Sequence, residues 1–134
     1  MLKKYDPKEC VVTVNDSIAL SGFSTAIITG TKDKPLVSVA EGAQGDAVAN
    51  LSASRLGTMT ITLQATSPSN AVLTTLAKNR ESFSLWAANK RLGERMGGNN
   101  AIVENYSTVE YGETAGDRAY TVKVADFDVE NTNE

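Results

Sequence analysis

Histidine is absent from this sequence and cysteine occurs once, at Cys10. Without histidine the chain lacks the commonest general base, metal ligand and pH switch, and a single thiol all but removes zinc chemistry. Cys10 opens the apolar run CVVTV, which predicts a small buried hydrophobe rather than a reactive thiol. Aromatic residues are scarce, at 6% of the chain; a sugar-binding β-module would be expected to display a row of them, and Trp86 lies within a strand pattern where packing explains it. No apolar run approaches the roughly 20 residues that a bilayer span needs. MLKKYDPKEC has lysines but no apolar stretch behind them, so no secretory leader is expected. These absences predict a protein made in a reducing cytoplasm, without disulfides and without membrane insertion. A net charge of -3 argues against a general nucleic-acid binder, which would carry a basic stripe.

What is present is β-pattern, arranged around one stretch. From Thr58 to Thr66, Met59, Ile61, Leu63 and Ala65 alternate with Thr58, Thr60, Thr62 and Gln64, the period of a strand with one buried face. Ser67 then offers an N-cap hydroxyl, Pro68 suits a first helical turn, and Val72, Leu73, Leu76 and Ala77 recur at helical spacing. A short amphipathic helix is expected over Ser67–Lys78, with Asn79 as its left-handed terminator and Lys78 and Arg80 at its negative end.

The remaining segments read as strands and turns. Cys10 to Phe23 has the form of a hairpin turning at Asn15-Asp16, Ala26–Thr29 is a short strand, and Gly30–Pro35 is a polar turn. Val37 to Leu56 is rich in Ala, Ser and Gly, too poor in bulk to form a core; it is either a long loop or a strand pair lying against another subunit, with Gly42–Asp46 at its tip. The glycines there do not form a phosphate cradle, since no lysine and no following helix accompany them. Ser82–Ala88 alternates as another strand. Asn89–Asn100, with Lys90, Arg91 and Arg95 beside paired glycines, reads as an exposed basic loop or hairpin tip. Ala101–Tyr106 and Tyr120–Phe127 are the last strands, and the polar residues after Phe127 read as frayed. Asp126 and Asp128 form the nearest thing to a carboxylate pair, most simply a solvated face.

The order of these pieces resembles the tail tube proteins of contractile phages and phage-like bacteriocins, which are similar in fold to the tube protein of the type VI secretion system. The resemblance spans about Val11 to Phe127. Its most specific part is Glu41–Leu76: an acidic residue, glycines, a polar strand, the GTMTITL strand and the SPSNAVLTTL helix. It implies one domain over residues 1–134, an α+β fold, mostly antiparallel β-sandwich or barrel with one principal α-helix, and hexameric rings sharing an inner β-barrel. The function implied is structural, with no enzyme activity and no cofactor: a subunit of the inner tube of a contractile tail or bacteriocin, stacked as rings into a hollow conduit. Its partners would be further copies of itself, a surrounding sheath and baseplate or terminator proteins, in a virion tail or bacteriocin particle assembled in the bacterial cytoplasm. Nucleic acid would be passive cargo, and a weakly acidic lumen would let a polyanion slide.

Glu41, Gly42, Gln44, Gly45, Asp46, Val48 and Asn50 are the candidate inter-subunit assembly residues. The competing reading is a monomeric β-sandwich binding module, carbohydrate-binding or adhesin-like. Met59, Ile61, Leu63, Val72, Leu73, Leu76, Phe83, Leu85, Val122 and Val124 are the expected core.

Overall fold

A computed structural model describes residues 2–132. After a 3₁₀ turn at Pro7–Glu9, the strands β1 (Cys10–Val14), β2 (Ile18–Ala19) and β3 (Phe23–Lys32) follow in turn. Next come β4 (Val37–Glu41), β5 (Ala47–Leu51), β6 (Gly57–Gln64), the helix α1 (Ser69–Asn79), β7 (Phe83–Asn89), β8 (Glu94–Val103), β9 (Asp117–Val124) and β10 (Asp128–Asn131). The expected α+β architecture, antiparallel strands with one principal helix, is the architecture observed. The main sheet runs β2-β1-β7-β8-β9-β6-β3, with β10 added alongside β8, while among the described residues β4 and β5 pair only with each other. Strands from both ends of this path, such as Val12 and Val14 at one end and Ile28 at the other, feed one core cluster, so the sheet is rolled.

The period-two runs explain the core. Met59, Ile61 and Leu63 from β6, Phe83 and Leu85 from β7, and Val122 and Val124 from β9 are buried, with Leu73 and Leu76 of α1 closing over them. Val72 is half-buried at the edge of this cluster. The opposite face of β3, β6 and β9 carries threonines in cross-strand rows, Thr29 beside Thr60 beside Thr121. Asn15 and Asp16, with φ of 53° and 59°, are the central pair of the turn in the three-residue connection from β1 to β2, where the Ser17 N–H donates to Val14 O at 3.3 Å.

Several expectations are corrected. The helix starts at Ser69 with Pro68 at its N-cap position; the Ser67 hydroxyl accepts from the Ser69 N–H at 3.2 Å, so it caps from one residue further out. The left-handed terminator is Arg80, φ 53°, rather than Asn79. Cys10 is only half-buried, because it begins its strand at the sheet margin, where its sulfur meets Asn89 Nδ2 at 3.2 Å. The turn between β7 and β8 is confined to Lys90–Gly93, and Glu94–Asn100 is strand. Residues 104–116, partly expected as strand, are a long connection. Asp128–Asn131, expected to be frayed, pairs with Glu94–Gly97; positions 133–134 of that expectation lie outside the described residues.

The paired glycines are explained by β8. Gly97 has φ 143°, and a Cβ there would strike the backbone of Leu85; one on Gly98 would meet Val124 and Asp126. At this point β8 exchanges its neighbour on one side, pairing with β10 before Gly98 and with β9 from Ala101. Asp126 locks the bend: its carboxylate accepts from the N–H groups of Asn99 and Asn100 at 3.1 and 3.0 Å. Burial opposes its charge, but these N–H donors outweigh that and hold its carboxyl below the usual carboxylate range.

Candidate functional site

The candidate residues fall together on the β4–β5 hairpin, every residue of which is exposed. Val37 faces Leu51, Val39 faces Ala49 and Glu41 faces Ala47, while Ser38 faces Asn50 and Ala40 faces Val48. Directly opposed residues share a face and successive residues alternate. One face is therefore Val37, Val39, Ala47, Ala49 and Leu51 with Glu41 at its tip end; the other is Ser38, Ala40, Val48 and Asn50. The candidate residues are split between these faces. The larger side chains of the apolar face are open to water, with Val39 70% and Leu51 81% exposed.

The tip is a tight three-residue loop. Gly42 N–H donates to Asp46 O at 2.8 Å, Gly45 N–H donates to Gly42 O at 3.0 Å, and Gly45 takes the left-handed conformation, φ 89°. Gln44 stands at its apex and is exposed. Hydrogen-bonded pairs alternate along an antiparallel ladder, so with Gly42–Asp46 bonded at one end and Ser52 N–H donating to Leu36 O at the other, Ala40–Val48 is a bonded pair.

The hairpin leaves the body through a neck. Asp33 N–H still donates to Leu56 O at 3.0 Å, but the ladder of β3 with β6 and that of β4 with β5 are out of step by one residue, the extra one lying in Ser52–Leu56. Asp33 ties the neck to the sheet: Thr58 Oγ1 donates to it at 2.6 Å and Lys123 Nζ at 3.0 Å. These two bonds, that from Thr58 the larger, hold the Asp33 carboxyl below its usual range.

Elsewhere the polar side chains do structural work. Arg91 makes a bidentate pair with Glu9, at 2.7 and 2.8 Å, which joins the 3₁₀ turn to the β7–β8 turn. Arg95 lies 4.0 Å from the Trp86 ring centroid and pairs with Glu130, so the basic segment is largely engaged. The Trp86 indole N–H donates to Asn99 Oδ1 at 3.1 Å. Arg118, almost fully buried and missed in the sequence, donates to the carbonyls of Gly116, Asp117 and Glu110, pinning the long 104–116 connection. Only its place on the inward-facing register of β9 signals it. Among the described residues, no group of three or more His, Cys, Asp or Glu could hold a metal ion, and no helix is long and apolar enough to cross a membrane.

Neither a protein-family model nor a curated protein sequence matches this chain. Solved structures do match by shape. A chain in the sheath/tube terminator of an extracellular contractile injection system, PVC, in the extended state, superposes with a TM-score of 0.71 at 10% identity, over 96% of this chain and 98% of that one. This chain shares the fold of that one. A chain of the PVC sheath-tube complex gives 0.65 at 12% identity over 92% and 88%, and one of the anti-feeding prophage tube-terminating cap gives 0.63 at 8% over 98% and 94%. At these identities the likeness is one of fold.

Proposed function

We propose that this chain is a structural subunit of the inner tube of a contractile injection particle, a phage tail or tail-like bacteriocin, polymerising as stacked hexameric rings. It has no catalytic role. The observation that carries the reading is the β4–β5 hairpin. A lone two-stranded hairpin is marginal in water, yet this one stands clear of the sheet with an apolar face uncovered and both backbone edges unpaired. Pairing and burial by neighbouring copies removes both defects, and a closed ring leaves no free edge. The fold shared with chains of a sheath-tube complex and of tube-terminating assemblies supports the same reading. Sheath and baseplate or terminator proteins are the partners it implies.

Two variants test it. Deleting Gly42–Asp46 removes the tip, and Val48→Pro removes a ladder N–H. Both are expected to give subunits with wild-type circular dichroism that form no tubes by electron microscopy. Tubes of normal length from both would overturn the assembly role, and wholesale unfolding would place the hairpin in the monomer's own stability. A monomeric binding module, the competing reading, predicts a wild-type protein that stays monomeric at high concentration.

A further inference from the structure

The two faces of the hairpin differ, and so does the surface of the body that could receive it. Where β3 closes against β1, β7, β8 and β10 without a hydrogen-bonded ladder, the seam leaves a cleft of about 190 Å³ lined mainly by apolar groups, among them Tyr5, Val11, Ile28, Met96 and Val129. Tyr5, Val11 and Val129 are 61%, 43% and 59% exposed, so this is the margin of the core left uncovered. The rim is basic. Lys4 precedes Tyr5, Lys8 lies two residues before Cys10 and Lys90 follows Asn89, and Tyr5, Cys10 and Asn89 all line the cleft. Among the described residues these lysines are in no ion pair, whereas the nearby Glu9 is paired with Arg91. The hairpin from Val37 to Leu51 contains two acids, Glu41 and Asp46, and no cation.

We infer that the apolar face of the hairpin, Val37, Val39 and Leu51, seats on the seam of a second copy, with Glu41, the acid on that face, against the lysines beside it. The face bearing Ser38, Val48 and Asn50 stays turned to water. This rests on the assembly reading above and assigns its geometry. Aliphatic side chains of one copy fill an apolar cleft of the next, and opposite charges at the margin set direction and register. Because hairpin and seam are different surfaces, the contact is heterologous: each copy gives one and receives one, as propagation into rings or a stack requires.

Cross-linking decides it. In a Cys10→Ser background, chains with Val39→Cys are mixed with chains with Val129→Cys, assembled and treated with a short bismaleimide; Asn50→Cys replaces Val39→Cys in the control. The expected result is a covalent heterodimer with Val39→Cys and at least tenfold less with Asn50→Cys. Equal yields, or tubes with no cross-link from either, would overturn the seating while leaving the assembly reading intact. Wild-type protein that forms no tubes would overturn both. Should the cysteine variants not assemble, amide exchange on wild-type tubes gives the answer. Both Val37–Leu51 and Asp128–Asn131 must gain protection over the monomer, and unchanged exchange in Asp128–Asn131 would refute the seam as the receiving surface.

Discussion

Truncating Leu73 to alanine tests whether α1 holds the sheet as described. Leu73 is fully buried and Leu76 is 9% exposed, and both belong to the cluster formed by β6, β7 and β9. Leucine to alanine removes three carbons; at about 0.8 kcal/mol for each buried CH₂ the transfer loss is roughly 2.4 kcal/mol. The cavity left behind adds to this, because a sheet pinned by its own ladder collapses little around the void, which places Leu73→Ala at about 3 to 5 kcal/mol. Leu76, at the margin where solvent can fill the gap, should lie near the bottom of the range, about 2 kcal/mol. Urea unfolding followed by circular dichroism reads both, with the slope unchanged and the midpoint lowered. A loss below about 0.5 kcal/mol at both positions would show that the helix is not packed on this core.

Other substitutions probe the features that the core does not. Gly97→Ala combines a backbone conformation that disfavours side chains with a clash against Leu85, and is expected to destabilise by about 2 to 5 kcal/mol in thermal melts, whereas Gly112→Ala, with open space around it, should lie within about 0.5 kcal/mol. Arg118→Met should raise amide exchange in residues 104–116 selectively, since their carbonyls lose the guanidinium donors. The Asp33 carboxyl is held below its usual range in the folded state, so its contribution is present at neutral pH and is lost as pH falls past the unfolded value near 4 and through the lowered folded one. Asp33→Asn should flatten that part of the acid dependence of melting, and an unchanged acid limb would refute the role.

The sequence announced some elements clearly and hid others for physical reasons. β6 and β7 alternate apolar with polar residues because one face of each is buried, so their period of two is written in the residues. β10 and the first half of β8 hold together through backbone pairing between polar residues such as Glu130 and Arg95, which leaves no apolar period to find. Gly97 and Gly98 looked like loop residues; they are glycine because neighbouring backbone and side chains crowd a bend in a strand. The hairpin was legible as a segment too small-sided to stand alone, and Gly42–Asp46 as its tip. The direction of its faces was not, because the one-residue offset at the neck breaks the alternation that would carry the phase from β3 into β4. Arg118 was overlooked since its partners are carbonyls, which leave no trace in residue types.

The most direct test of the central claim is electron microscopy of the purified wild-type protein across a concentration series, imaged beside the Gly42–Asp46 deletion. The account predicts hollow six-fold rings or tubes from the wild type and none from the folded deletion variant. A wild-type protein that remains monomeric at every concentration, or a deletion variant that forms the same tubes, would contradict it.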